Sequence, residues 1–275
     1  GRFPLDCLSI LVIISLNLTN GRQEGTAMTA VTIDDVIHDL SSIIDASWQQ
    51  NSRLGFFPAM YRKVTVRIKD GVENGRFQNP HLMEHLDVVF ANRYIEAYWQ
   101  YRQGQQPTRA WAYTFDRAQD PEPSVLHHLL LGMNAHINLD LGIAAAQVCH
   151  NCALDPLKND FFEVNLVLAG LLDEVQEGVN QSSALFRLVD NLGGRADEAM
   201  GNFSLQRARQ SAWEKAQALH QLAPEAHPAL IDGTPGPPAP TARSFSPPSS
   251  WSRAYPAVRA PAETPEPRAI IDVLA

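Results

Sequence analysis

The chain has 275 residues, of which 45% are hydrophobic, and its formal net charge is −8 at pH 7. This length can bury a sizeable core in one domain, whereas the acidic balance argues against a nucleic-acid-binding protein, which needs a basic face. Three cysteines, Cys7, Cys149 and Cys152, are too few for a disulfide framework, so a reducing compartment and a cytoplasmic location are expected rather than secretion.

The first 27 residues differ in character from those that follow. The apolar run Leu5–Leu18 has the length of a signal-peptide core, but only Arg2 precedes it and no A-x-A cleavage pattern follows. The run is also too short to span a bilayer, so no stable membrane span is expected. Since Met28 opens a helical pattern, we interpret residues 1–27 as upstream sequence outside the domain, with a degenerate secretion signal as the alternative.

Residues 28–232 have a helical pattern throughout, because apolar residues recur at spacings of three and four without a sustained alternation. Thr32 or Asp34 can cap the first helix, and Asn79–Pro80 begins another. Capping-box spacing occurs at Asp160–Glu163, and Gly193–Gly194 separates the last two helices. The sequence therefore predicts an all-α, single, multi-helix bundle-like domain with a long buried central helix.

The remaining residues, 233–275, are rich in proline. Proline removes backbone donors and fixes φ, which disfavours helix and sheet. The sequence predicts a disordered tail here.

The central helix contains the stretch "VLHHLLLGMNAHINLDLGIAAA", Val125–Ala146. At about 100° per residue, His128, Gly132, His136 and Asp140 follow one another at i, i+4 and form one slowly turning stripe. His127, Asn134 and Asn138 fall on the opposite side of the helix. Polar groups on both faces of an apolar helix need partners on both sides, so we expect this helix to run through the middle of the bundle.

A histidine and an aspartate one helical turn apart can bind one cation together. His136 and Asp140 are the best such pair, and His128 is a further ligand or a supporting group. An imidazole nitrogen and a carboxylate oxygen belong to the ligand set of catalytic zinc sites, which suggests a divalent metal, zinc in the first place. The alternative is a buried structural network in which these groups bond to one another and to helix ends.

Several other patterns carry less weight. The HExxH, ExxH, GxSxG, P-loop and GxGxxG motifs are all absent from the sequence. His81 and His85 lie one turn apart, and Asp87 and Tyr94 share another face of the same helix. "CHNC", Cys149–Cys152, is a formal CxxC motif, but it lacks the strand context of a thioredoxin site.

The segments "YRKVT", "LDVVFANRY", "HLLLGMNAHINLDLGIAAA", "DFFEVN" and "AR..AW..A" occur in an order that resembles a bacterial family of unknown function, over about residues 30–222. This resemblance implies an all-helical fold and names no reaction. It emphasises residues at motif positions: Asp87, Asn92, Arg93, Tyr94, His128, Asn134, His136, Asn138, Asp140, Asp160 and Asn165. By contrast, His81 and His85 stand where related sequences are expected to have arginine, which weakens them as ligands.

Two functions follow as hypotheses. The first is a metal-dependent hydrolase of small phosphoesters or carboxylic esters, in which metal-activated water is the nucleophile. Its metal ligands would be His128, His136, Asp140 and Asp160, and its catalytic residues would be Asp87, Arg93 and Tyr94. Arg93 would hold the substrate anion. The second is a non-catalytic helical binding or scaffold protein with a buried His/Asn/Asp network. The sequence leaves the oligomeric state open.

Overall fold

A computed structural model describes residues 29–121, 125–168, 205–222 and 266–275. All regular secondary structure in these ranges is helical, which confirms the predicted all-α class. The leader 1–27, the Gly193–Gly194 boundary and the part of the predicted tail before residue 266 lie outside the described residues.

The helices are α1 (Ile33–Gln49), α2 (Phe56–Glu73), α3 (Pro80–Arg102), α4 (Arg109–Ala118), α5 (Val125–Ala135), α6 (Gly142–Val148), α7 (described over 158–168), α8 (Leu205–His220) and α9 (Pro267–Leu274). From α1 to α7 the helices follow one another along the chain with short connections, whereas residues 169–204 and 223–265, before α8 and α9, lie outside the described residues. Short 3₁₀ turns occur at Arg53–Gly55 and Asp155–Leu157. A π-helical segment, His136–Leu141, joins α5 to α6, so residues 125–148 form one continuous helix.

Local sequence signals explain where the first and third helices begin. Thr32 caps α1: its hydroxyl accepts from the backbone N–H of Asp35 at 3.1 Å, and the Asp35 carboxylate accepts from the N–H of Thr32 at 2.9 Å. This reciprocal capping box selects Thr32 over Asp34 as the cap. Helix α3 begins at Pro80 directly after Asn79, as predicted, because proline has no N–H to satisfy and its φ suits a first helical position.

The continuous helix 125–148 is the predicted buried central helix. Within the described ranges, His127–Val148 is long and apolar enough to cross a membrane, but 78% of that window is buried inside the protein. Helices α3 and α8 pack along its second half. Contact with α8 is close at Gly142, where a Cβ atom would meet the carbonyl oxygen of Ala212 at 2.6 Å.

The core has two main parts, and the central helix contributes to both. One part lies around Phe161 and Trp213, where α6, α7 and α8 meet. The other is aromatic and joins α1, α2, α3 and α4 around Tyr61, Tyr94 and Trp111. The candidate site lies in this aromatic part.

Helix α9 packs on the outside of α1 and α2. Its Ile270 and Ile271 are buried against Ile44, Phe56 and Ala59. Within the range 233–275, for which the sequence predicts disorder, the structure thus describes one ordered helix. Pro267 occupies its first turn, where proline favours a helix instead of breaking it.

Candidate functional site

Asp140 lies at the centre of the candidate site, where only 1% of its surface is exposed. Its Oδ1 atom accepts a hydrogen bond from Nε of Arg93 at 2.9 Å, and Oδ2 accepts one from Nε1 of Trp111 at 2.7 Å. Nδ1 of His136 lies 3.3 Å from the same Oδ2 atom. The carboxylate therefore joins α3, α4 and the central helix, and its charge is balanced by a guanidinium group.

The contact with Asp140 fixes the tautomer of His136. Because a carboxylate oxygen accepts, the proton of the neutral ring belongs on Nδ1 and the lone pair on Nε2. Nε2 is buried and has no hydrogen-bond partner in the structure. Burial lowers the pKa of His136, and Asp140 only partly opposes this shift, so the ring is neutral at pH 7. His136 thus carries a basic nitrogen in an enclosed place.

Aromatic rings surround His136 on several sides. Phe90 stacks on the imidazole with a centroid distance of 3.6 Å and an interplanar angle of 9°. Tyr61 meets the ring edge-on at 4.6 Å, and Phe57 does so at 5.6 Å. These rings hold the plane of the imidazole and exclude water, so the charge of Asp140 acts on His136 with little screening.

The π-helical segment shapes the site from within the central helix. A π-helix inserts one extra residue into a turn, and such segments are frequent at functional sites. Lys215 of α8 donates to the backbone carbonyl of Asn138 at 2.6 Å, inside this segment. The Asn138 side chain donates to Oδ1 of Asn134 at 2.6 Å. Burial lowers the pKa of Lys215, while Asp140 opposes this shift.

His128 does not join His136 and Asp140, although the three share the predicted stripe. The ring of Phe57 lies over Gly132, where a Cβ atom would collide with it, and thereby fills the space between the two histidines. His128 packs edge-on against Phe56 at 6.0 Å instead. Burial and then His127 lower the pKa of His128 to about 3, and neither ring nitrogen has a hydrogen-bond partner in the structure.

Asp160 has a different environment from Asp140. Its two carboxylate oxygens accept from the backbone N–H groups of Gln78 and Asn79, both at 2.7 Å. The capping-box spacing predicted that Asp160 caps its own helix. Instead, Asp160 holds the chain just before α3. In the described ranges, no three His, Cys, Asp or Glu side chains form a group that could hold a metal ion.

Asp87 and Tyr94 lie on one face of α3, as predicted from their spacing, and both are buried. Oδ2 of Asp87 and the hydroxyl of Tyr94 have no hydrogen-bond partner in the structure. Burial, with a smaller contribution from Glu84, raises the pKa of Asp87 to about 7. Burial is the main cause of the raised pKa of Tyr61. The charges of Asp87 and, to a smaller extent, Asp140 raise it further, so Tyr61 lies near both carboxylates.

A small cavity of about 20 Å³ lies beside the aromatic cluster. Its lining includes Arg53, Phe57, Tyr94, Trp111, Thr114 and His128. Such a volume suits about one water molecule. A larger cavity of about 230 Å³ adjoins it near Gln50, Arg102 and Gln119, and the two cavities share the lining residues Arg53, Leu54 and Ala118. The smaller cavity is therefore the one that borders the aromatic cluster.

The other sequence candidates lie apart from this cluster. His81 and His85 are exposed on α3. Burial raises the pKa of the Cys149 thiol to about 12, with a smaller effect from Cys152. Nε2 of His220 lies 3.1 Å from the Cys149 carbonyl and 2.9 Å from that of Cys152, which places it at the end of α6.

Sequence reasoning missed three important partners: Trp111, Phe90 and Lys215. The signal that could have identified Trp111 is its residue type, because the indole N–H of a buried tryptophan usually has a hydrogen-bond acceptor. None of the three lies within a few turns of the central helix along the chain, so helical periodicity could not connect them to His136 and Asp140.

The model of a family of unknown function, DUF5995, matches residues 33–234, from the first residue of α1 onward. The chain belongs to this family. The match confirms the resemblance that the asparagine- and histidine-rich block indicated. No curated protein and no solved structure matches the chain.

Proposed function

We propose that this protein is a hydrolase in which His136 activates a water molecule for attack on a small ester. The unpartnered, buried Nε2 atom of His136, opposite the contact between Nδ1 and Asp140, is the observation that carries this proposal. An imidazole in this arrangement is a general base, and the carboxylate stabilises the imidazolium that forms when it takes a proton. Since no serine or cysteine of the described residues bonds to Nε2, water is the proposed nucleophile.

Neighbouring groups supply the other parts of such a reaction. With a pKa of about 7, Asp87 is partly protonated at neutral pH and can donate a proton to a leaving group. The unpartnered hydroxyl of Tyr94 is a donor for the negative charge that develops on the attacked oxygen. Arg93 and Lys215 keep the surroundings of Asp140 positive, which favours an anionic transition state.

A metal-dependent form of the same reaction is the hypothesis drawn from the sequence, with zinc on His128, His136, Asp140 and Asp160. Nε2 of His136 has a lone pair free for a cation. However, the guanidinium of Arg93 bonds to Asp140 and would repel a divalent ion there. Both oxygens of Asp160 already accept from backbone N–H groups. The geometry therefore favours water activation by histidine over activation by metal.

A non-catalytic scaffold role is the second candidate, and burial favours it. His136 and Asp140 are 2% and 1% exposed, and the neighbouring cavity of about 20 Å³ is too small for an organic ester. As a hydrolase, the protein must therefore open beside this cavity to admit substrate. As a scaffold, the same contacts would only fix how α3 and α4 pack on the central helix.

Hydrolysis of an activated carboxylic ester and an activated phosphoester by the full chain, without a His tag, separates these functions. We expect turnover that persists in excess chelator and falls at least about a hundredfold in His136→Gln, as for loss of a general base. His127→Gln is the matched control, one residue away on the same helix, and retains turnover. Loss of activity with chelator, restored by zinc, would favour the metal form, and no turnover of either ester would favour the scaffold.

A further inference from the structure

Helix α9 fills an apolar groove between α1 and α2, which we call the α1–α2 groove. Its lining residues are Ile44, Ser47, Gly55, Phe56, Ala59 and Val125. Ile270 and Ile271 of α9 are 4% and 1% exposed in this groove. The fit is close at Gly55, where a Cβ atom would lie 2.5 Å from Cδ1 of Ile271. The absence of a side chain at Gly55 thus leaves room for Ile271 as it lies in the groove.

Polar contacts fix the direction of α9 in the groove. Arg268 donates from Nε to the Trp48 carbonyl at 2.8 Å and from Nη2 to the Gln49 carbonyl at 3.0 Å. The last turn of α1 has no basic residue, so Arg268 places a cation beside carbonyl groups at this helix end, although that of Trp48 also accepts from the backbone N–H of Asn51 at 3.0 Å. At the other side, Asp272 accepts from Nε1 of Trp48 at 2.9 Å.

A third contact recognises the loop after α1. The backbone N–H of Arg268 donates to Oδ1 of Asn51 at 3.1 Å. Asn51 has a positive φ of 49°, a conformation that asparagine tolerates better than most residues. The groove therefore presents an apolar floor, helix-end carbonyl groups and a side-chain acceptor, which together suit a short helix with the order Arg-x-Ile-Ile-Asp.

Helix α9 has features of a docked ligand rather than of a core element. It has only 8 residues, and isolated helices shorter than about 12 residues are marginal in water. The family match ends at residue 234, before α9 begins. Residues 223–265 lie between α9 and the preceding described segment. A chain of that length can span more than about 100 Å when extended, so it does not force α9 into the groove.

We infer that the α1–α2 groove is a helix-binding surface whose occupant is α9 of the same chain, held as a releasable intramolecular ligand. The groove and α9 recognise each other through Ile270, Ile271, Arg268 and Asp272. The same segment supplied as a separate peptide therefore binds the groove once the chain's own α9 has been displaced.

The test uses the full chain with Ile271→Asp, which places a charge against the groove floor and displaces α9. A fluorescent peptide of residues 266–275 is titrated with this variant and with the wild-type chain, and anisotropy is measured. The variant should bind the peptide at least about tenfold more tightly than the wild-type chain, whose groove is occupied. Ala269, an exposed residue of α9, provides the matched control: peptide Ala269→Gln binds as well as the wild-type peptide, whereas peptide Ile271→Asp binds at least about tenfold more weakly.

A second chain variant weakens the polar contacts of α9 without placing a charge in the groove. Arg268→Ala with Asp272→Ala keeps both isoleucines and should bind the peptide with an affinity between those of wild type and Ile271→Asp. Loss of the folded state in Ile271→Asp would show that α9 is part of the core and would overturn the assignment. Equal peptide binding by wild type and both variants, or binding by none, would overturn it as well.

Light scattering identifies which chain supplies α9. If α9 binds the groove of its own chain, this contact does not join two chains. The molar mass of the protein should then be the same for wild type and Ile271→Asp. A wild-type dimer that dissociates in Ile271→Asp would mean that a second copy fills the groove, which contradicts the assignment to the same chain.

Discussion

Asp140 and Asp160 are both buried aspartates that the sequence predicts as metal ligands, yet they have different partners. Among the described residues, the partners of Asp160 are the backbone N–H groups of Gln78 and Asn79. Asp140 accepts from the side chains of Arg93 and Trp111 and contacts His136. A carboxylate bonded to backbone amides fixes the path of the chain, whereas one bonded to side chains from several helices orients groups that can react. Burial of an acidic residue therefore does not by itself mark a site; the type of its partners does.

Asp140→Asn should have the largest effect. It removes the charge opposite Arg93, and loss of one partner of a buried ion pair costs about 3–5 kcal/mol of the free energy of unfolding. Turnover should be lost too, because the amide no longer stabilises a protonated His136. Urea denaturation and ester hydrolysis measure the two effects. A loss below about 1 kcal/mol would show that the pair is not the buried contact described.

Asp87 is a third buried carboxylate, and its Oδ2 atom has no hydrogen-bond partner in the structure. Its pKa is raised from 3.8 to about 7, so its favourable contribution is present below about pH 4 and is lost as pH rises through 7. At about 1.36 kcal/mol per pKa unit, this loss amounts to at most roughly 4 kcal/mol.

Asp87→Asn should therefore lose less stability than wild type between pH 5 and pH 8. Thermal unfolding at the two pH values measures the difference. Parallel pH profiles for wild type and variant would mean that Asp87 is ionised and has a hydrogen-bond partner in the folded protein.

Asp160→Asn should destabilise the protein by about 1–3 kcal/mol. The amide has one acceptor oxygen, whereas the N–H groups of Gln78 and Asn79 each donate to a separate oxygen of Asp160. Turnover per folded molecule should stay unchanged, which separates Asp160 from Asp140. Chemical denaturation gives the first quantity and active-site-normalised hydrolysis the second. A folded Asp160→Asn protein without turnover would return Asp160 to the site and revive the metal hypothesis.

His128 provides the smallest test, as a buried histidine without a carboxylate partner of the kind that His136 has. Its pKa is lowered from 6.5 to about 3, so its contribution is present above pH 6.5 and is lost as pH falls toward 3. His128→Asn should remove about 1–2 kcal/mol of the stability loss between pH 7 and pH 5. Unfolding midpoints at the two values test this, and an unchanged acid sensitivity would contradict the burial of a neutral His128.

The helices and several of their first residues followed from the sequence, because apolar periodicity, the Thr32 cap and the Asn79–Pro80 pair are local signals. The arrangement of the site did not. A stripe computed at about 100° per residue treats the central helix as regular, whereas residues His136–Leu141 are π-helical and Phe57 covers Gly132.

Partners from other helices were also out of reach of periodicity. Arg93 was predicted to hold a substrate anion, but it lies against Asp140, and Trp111 completes that contact. Such pairings depend on how helices pack, which a single sequence does not encode locally. Helix α9 was missed for a compositional reason, since prolines throughout residues 233–267 masked the apolar pair Ile270 and Ile271.

The tautomer of His136 tests the central claim most directly. Nitrogen-15 NMR of the full chain with labelled histidine, assigned with His136→Gln, observes both ring nitrogens. We predict a proton on Nδ1, a lone pair on Nε2, a neutral ring at pH 7, and no change when zinc is added in slight excess. A proton on Nε2 would contradict the orientation of the ring by Asp140, and a zinc-dependent shift of the Nε2 resonance would contradict metal-free activation of water.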